Sequence, residues 1–247
     1  ENPSQKLYCH LAADELLTMA KRNNRIVAVT AAMPLGTSAN RFKAQFKNRF
    51  FDVGIAEEHA VTMCAGLAKG GMKPFFFVYS TFLQRGYDQV LHDVCMQTLP
   101  VVFLLDRAGL GNEDGQSHQG LFDIAYLRHI PNITLLAPAD AGELAEMMHA
   151  ALDINAPVAI RYPKTAVTPN ASYPTRPVMI GRWRTLLNGT DGTVLAVGSM
   201  VGAGIEIAQR LAQDGLSLEV VNASTIRPLD GSCLARLAER GKPVITL

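Results

Sequence analysis

The chain has 247 residues, enough for one large domain or for one domain and part of another. With 48% hydrophobic and 18% charged residues it has the make-up of a well-buried soluble α/β protein, and no apolar run approaches the length that spans a bilayer. A formal net charge of +1 excludes a general electrostatic attraction to nucleic acid or to an anionic membrane surface.

Along the chain, apolar residues at Leu11, Leu16, Leu17 and Met19 predict a helix over 7–22, and the β-branched run from Arg25 predicts a buried strand ending at Pro34. The Gly, Pro and Ser of MPLGTSANRF mark irregular backbone. FFDVG then reads as a strand broken at Gly54, and residues 57–69 as a helix closed by Gly70 and Gly71. The alternation continues with strands at KPFFFVY, PVVFLLD, ITLLAP and PVAIRYP. Helices are predicted over 81–98, 121–130 and 141–152. Strands alternating with helices predict right-handed crossovers and a largely parallel, doubly wound sheet.

From Lys164 the composition shifts to Thr, Pro, Asn and Ser, the mark of a linker. A second α/β pattern follows, with strands from Gly192, Ser217 and Lys242 and helices over 201–215 and 232–241. The expected organisation is a first domain over 1–165, a linker over 166–177 and a partial second α/β domain over 178–247. The start lacks an initiator Met and a signal-peptide pattern, and the last predicted strand has no cover. A piece of a longer product is therefore expected.

The junction FFDVGIAEE places Glu57 and Glu58 at a helix start beyond a strand end. Acidic residues there serve as dipole partners. One of them, desolvated and facing a cleft, could instead exchange a proton, and both cannot face the same way. The loop RAGLGNEDGQSHQG is long for a strand-to-helix connection and carries Arg107, Asp114 and His118. Arg can hold a phosphate or carboxylate through a forked pair, and His can shuttle a proton. The alternative is a plain surface loop. Its glycines form neither GxGxxG nor a Walker motif.

Tyr79, Ser80, Phe82 and Arg85 lie at the next strand end, where an aromatic could stack on a planar ring or could pack in the core. Arg161 and Lys164 close the last strand of the first domain, as an anion site or as solvated cations. His10, His59, His92, His129 and His149 show no metal-ligand spacing. Met19, Met63, Met96, Met147 and Met148 read as core filler. Cys9, Cys64, Cys95 and Cys233 form no CxxC and are expected to be reduced, buried thiols in a cytoplasmic protein.

Taken in order, RFFDVGIAEEHAVTMCAGLA, YSTFLQRGYDQVLHDV, LPVVFLLDRAGLGNEDGQSHQG and FDIAYLRHIPNITLLAP closely resemble the 1-deoxy-D-xylulose-5-phosphate synthases of the thiamine-diphosphate-dependent transketolase superfamily. The resemblance implies a pyrimidine-binding domain followed by part of a C-terminal domain. The magnesium and diphosphate ligands would lie on an N-terminal domain that is absent here. It implies a transferase that condenses pyruvate with glyceraldehyde 3-phosphate, with loss of CO2. The product would feed isoprenoid, thiamine and pyridoxal synthesis in a cytoplasmic homodimer.

By the same resemblance, Glu57 contacts a ring nitrogen of the aminopyrimidine and Phe82 stacks on that ring. Tyr79, Arg85, Arg107, Asp114 and His118 line the substrate pocket, and Arg107 is the candidate for the acceptor phosphate. Tyr79 and Arg85 also border the cofactor. Lys164 stands where the family commonly has a phosphate-contacting Arg, Glu58 where it commonly has Gln, and GNEDG where GADG or similar is usual. Two other readings stay open. One is a β-type subunit of a 2-oxo-acid dehydrogenase or split transketolase, and the other is a silent regulatory homologue. On its own, the chain is expected to be inactive.

Overall fold

The computed structural model describes residues 6–111, 115–167 and 177–247. Six parallel strands, β1 (Ile26–Thr30), β2 (Phe50–Asp52), β3 (Lys73–Tyr79), β4 (Val102–Asp106), β5 (Thr134–Leu136) and β6 (Val158–Arg161), form the first sheet in the order β5-β6-β4-β3-β1-β2. Alternation along β3 shows why both faces are covered. Phe75 and Phe77 enter one core with Leu16, Leu144 and Met147, while Phe76 enters the other with Ala60, Val61 and Leu127. The first core is roofed by the helices α1 (Tyr8–Arg22) and α2 (Asn40–Gln45) and the second by α3 (Glu57–Lys69).

The chain leaves β1 for β2 through α2 and returns to β3 through α3, so β2 and β3 flank β1 on opposite sides. Such a reversal opens a crevice at the carboxyl ends of the strands. α3 ends as the paired glycines predict: Gly71, at φ +87°, donates its N–H to Ala68 O at 3.0 Å.

The segment expected as one helix over 81–98 is instead a 3-10 turn (Phe82–Gly86), the single turn α4 (Tyr87–Gln89) and a π-helical stretch (Val90–Cys95). The tight first turn follows from packing, because a Cβ at Gly86 would lie 3.0 Å from Val61 Cγ2 and 3.5 Å from Glu57 O. The helix expected over 121–130 shortens to α5 (Asp123–Leu127), whereas α6 (Ala141–Asp153) forms fully, with the Asp140 carboxylate accepting from Glu143 N–H at 2.8 Å.

The second unit holds four strands rather than three. β7 (Arg184–Leu187) pairs antiparallel with β9 (Leu218–Asn222), beside parallel β8 (Gly192–Ala196), and β10 (Thr225–Arg227) leaves this unit to pair antiparallel with β5 of the first sheet. β11 (Val244–Thr246) extends the order to β11-β8-β9-β7, between the helices α7 (Met200–Gln213) and α8 (Gly231–Arg240). The two units are bolted together by the buried Glu143. Its carboxylate accepts from Arg184 Nη2 at 2.8 Å, from Asn222 Nδ2 at 3.0 Å and from Ala139 N–H at 2.8 Å.

Met19, Met147 and Met148 are buried as expected, but Met63 is only half-buried and Met96, just past the π-helical stretch, is 60% exposed. All four cysteines are free and buried. Among the described residues, no helix is long and apolar enough to cross a membrane.

Candidate active site

Five strand-end segments converge on the crevice. The turn after β1 brings Gly36, and the first turn of α3, entered from β2, brings Glu57. The turn after β3 brings Tyr79, Phe82 and Arg85, the loop after β4 brings Arg107 and His118, and Lys164 follows β6. Asp52, closing β2, ties the first two together: its Oδ1 accepts from Ala32 N–H at 2.8 Å and Gly54 N–H at 3.1 Å.

Glu57 and Glu58 separate as their adjacency requires. Glu57 is 2% exposed, whereas Glu58 faces solvent. The Glu57 carboxylate accepts from Arg85 Nη1 at 2.8 Å, and Arg85 also lies over Phe82, with its Cζ 5.0 Å from the ring centre. Phe82 stacks with Tyr79 at 5.6 Å between centroids and meets His118 edge-on at 5.1 Å. Arg107 in turn covers Tyr79, its Cζ 3.7 Å from the ring centre. Glu57, Arg85, Phe82, Tyr79, Arg107 and His118 therefore form one continuous cluster.

Arg107 holds φ +59°, the left-handed region that side chains other than Gly rarely adopt. Its own N–H is held by Asp106 Oδ1 at 2.8 Å, which supports that conformation at the base of the loop. The loop closes on itself, with Gly109 and Gly120 exchanging N–H···O bonds at 2.8 and 3.0 Å and Gln119 bridging Gly111 and Gly115. His118 Nδ1 lies 2.8 Å from Ser117 Oγ. Asp114 lies outside the described residues.

Arg161 is committed elsewhere: its Nε donates at 2.8 Å to the fully buried Asp123 carboxylate. Lys164 sits two residues beyond Tyr162, whose carbonyl accepts from Ala108 N–H at 3.0 Å, so its segment runs beside the Arg107 loop. Ser80 lies beneath the cluster, buried, with its carbonyl accepting from Tyr126 OH at 3.3 Å. Among the described residues, no group of His, Cys, Asp and Glu is arranged to hold a metal ion.

Three residues that shape the site or its flank carry no signal in the sequence. Gly36 leaves room for Tyr79, since a Cβ there would fall 1.7 Å from the Tyr79 hydroxyl. Gly120 leaves room for the loop base, since its Cβ would fall 2.3 Å from Arg107 O. Asp123 anchors Arg161. Single glycines in a glycine-rich loop and an acid at a helix start carry no distinguishing pattern.

A buried carboxylate beside a half-buried ring suits a flat heteroaromatic group that stacks and offers an in-plane hydrogen bond. The flanking guanidinium and imidazole suit an anionic, carbonyl-bearing substrate. Residues 7–169 match the transketolase pyrimidine-binding domain and residues 181–247 the transketolase C-terminal domain. The chain is similar over its whole length to the 1-deoxy-D-xylulose-5-phosphate synthase of Halalkalibacterium halodurans, at 46% identity covering 40% of that protein. It is 48% identical over 97% of its length to that of Heliobacterium modesticaldum, covering 37% of it. It thus spans about 40% of the length of these curated relatives. Among solved structures, a split-gene transketolase described as an inactive β4 tetramer superposes with a TM-score of 0.88 at 29% identity, covering 98% of this chain and 79% of that one. A Pichia stipitis transketolase variant shares the fold, with a TM-score of 0.82 at 18% identity over 98% of this chain and 39% of that one.

Proposed function

This chain belongs to the transketolase family, and from that premise we propose that it is the pyrimidine-binding portion of a thiamine-diphosphate-dependent 1-deoxy-D-xylulose-5-phosphate synthase. Its substrates would be pyruvate and glyceraldehyde 3-phosphate. The observation that carries this reading is the buried Glu57 carboxylate set beside Phe82, within a chain homologous throughout to these synthases.

The residues fit the proposed cofactor's ring: the cluster supplies a desolvated acceptor and an aromatic face. When bound, thiamine diphosphate supplies the carbon nucleophile of the reaction. Glu57 would hold a proton at a carboxylate oxygen, shared with a ring nitrogen, in a site dry enough for the shared proton to matter. Phe82 orients the ring by stacking, backed by Tyr79. Arg107 and Lys164 would take the acceptor phosphate, with the Arg107 fork fixed over Tyr79. His118 would donate to, or accept from, a substrate hydroxyl or carbonyl, and Asp114 belongs to the same proposed pocket. Magnesium and the diphosphate would be held by a further domain or partner subunit, and the working assembly would be a homodimer. The proposed division of the chain is a pyrimidine domain over 1–165, a linker over 166–177 and a C-terminal domain portion over 178–247.

A second reading, a subunit of a split transketolase, is favoured by one observation: the chain covers 79% of the split-gene relative. The test is CO2 release from labelled pyruvate by the full-length protein with glyceraldehyde 3-phosphate, thiamine diphosphate and magnesium. Pyruvate-dependent release supports the synthase. Turnover of a ketose phosphate donor, with none of pyruvate, supports the split transketolase.

A further inference from the structure

Arg85 reaches both groups that would receive the cofactor's ring. Its Nη1 is 2.8 Å from Glu57 Oε1, and its Cζ is 5.0 Å from the Phe82 centroid. A guanidinium is flat, with N–H donors in one plane. An aminopyrimidine is also flat, with an amidine-like N–C–N edge. Both can make an in-plane hydrogen bond with Glu57 while lying on an aromatic ring: the guanidinium donates to the carboxylate, and the pyrimidine edge shares a proton with it.

The two partners differ in freedom. The Glu57 side chain is 2% exposed and the Arg85 side chain 51% exposed, so Arg85 can swing into solvent and Glu57 cannot follow it. The backbone between them is fixed, because Gly86 lets the turn Phe82–Gly86 pack directly against the first turn of α3. A buried carboxylate left without a partner is costly, which gives Arg85 a reason to be there.

From this juxtaposition we propose that Arg85 is a resident competitor for the pyrimidine site. It pairs with Glu57 Oε1 and lies over Phe82 until an aminopyrimidine displaces it, and it thereby sets the affinity and selectivity of the site. A ligand must both bond Glu57 and stack on Phe82 to recover what the broken pair loses. A simple amine or a plain aromatic ring does only one of these. The inference rests on the pyrimidine-site reading given above.

Thiamine, which lacks the diphosphate, is the probe. It is titrated into this chain by calorimetry, and by NMR with isotopically labelled arginine side chains. In the wild type, the Arg85 Nε signal is expected to move toward that of a solvated arginine as thiamine is added. Arg85→Gln is expected to bind thiamine roughly threefold more tightly, the scale of a half-exposed ion pair, with Arg85→Lys in between. The NMR measurement uses the wild-type chain and so decides the matter even if a variant folds poorly. Weaker or unchanged binding by Arg85→Gln, or an unmoved Arg85 signal while thiamine binds, overturns the inference and leaves the pyrimidine site standing. No thiamine binding by the wild type or by Arg85→Gln overturns both.

Discussion

The Tyr79 hydroxyl lies against the bare α-carbon of Gly36, at a spacing where a methyl group would fall 1.7 Å from the oxygen. The loop after β1 and the end of β3 are thereby fitted to each other. Tyr79 is held flat beneath Arg107 and against Phe82.

Gly36→Ala is expected to displace the Tyr79 ring rather than unfold the chain, because the clashing atom is the tip of a side chain. Thermal unfolding should shift little. On the proposed synthase reading, the KM of the full-length protein for glyceraldehyde 3-phosphate should rise several-fold while its KM for pyruvate changes less. Equal losses on both substrates would count against Tyr79 and Arg107 acting on the acceptor.

Gly120→Ala should behave differently. The added methyl would meet backbone, 2.3 Å from Arg107 O and 2.9 Å from Ala108 Cα. Overpacking of that kind costs about 1–3 kcal/mol. A lowered midpoint in urea is expected, together with faster amide exchange at Gly109 and Gly120.

Much of this arrangement was legible in the sequence. Strict runs of β-formers marked β1, β3, β4 and β6, and the break at Gly54 placed Glu57 at a helix start, where the fold buries it. β7 and β10 escaped notice because they are short and owe their existence to partners far along the chain: β10 forms only by docking on β5. The 3-10 and π turns after Phe82 carry helix-compatible residues, and only the close approach of Gly86 to α3 tightens the first of them. Arg161, a candidate anion ligand from its strand-end position, proves to be the counter-ion of Asp123.

Arg161→Ala tests that role. It would leave Asp123, whose side chain is fully buried, without its partner, a loss of about 3–5 kcal/mol. Arg161→Lys should restore part of it. A change in substrate affinity with stability intact would return Arg161 to the substrate pocket.

Asp230 provides a pH signature. Burial opposes its charge, but bonds from Ser232 Oγ and from the Trp183 and Cys233 N–H groups outweigh that and lower its pKa to about 2. A carboxylate whose folded pKa lies below its unfolded value stabilises above the unfolded pKa and loses that contribution as pH falls through the folded one. Asp230→Asn should therefore cost roughly 2 kcal/mol at neutral pH. The gap to wild type should close between about pH 4 and pH 2 in acid titrations of stability.

Three of the four thiols should be silent in the folded chain. Burial pushes Cys9 up to about 11 and Cys95 up to about 12, and raises Cys64 further. A chromogenic disulfide reagent at mildly alkaline pH should label none of these three until denaturant is added. Rapid labelling of any one would show that its helix opens locally.

Glu57 and Phe82 are proposed to form a pyrimidine-binding site. This is tested most directly by mapping thiamine-induced chemical-shift changes on this chain and on its Glu57→Ala variant. Changes are expected to centre on Glu57, Phe82 and Tyr79, with affinity at least roughly tenfold weaker in Glu57→Ala, the scale of a buried charged hydrogen bond. Shift changes centred elsewhere, or thiamine affinity that survives the loss of Glu57, would contradict it.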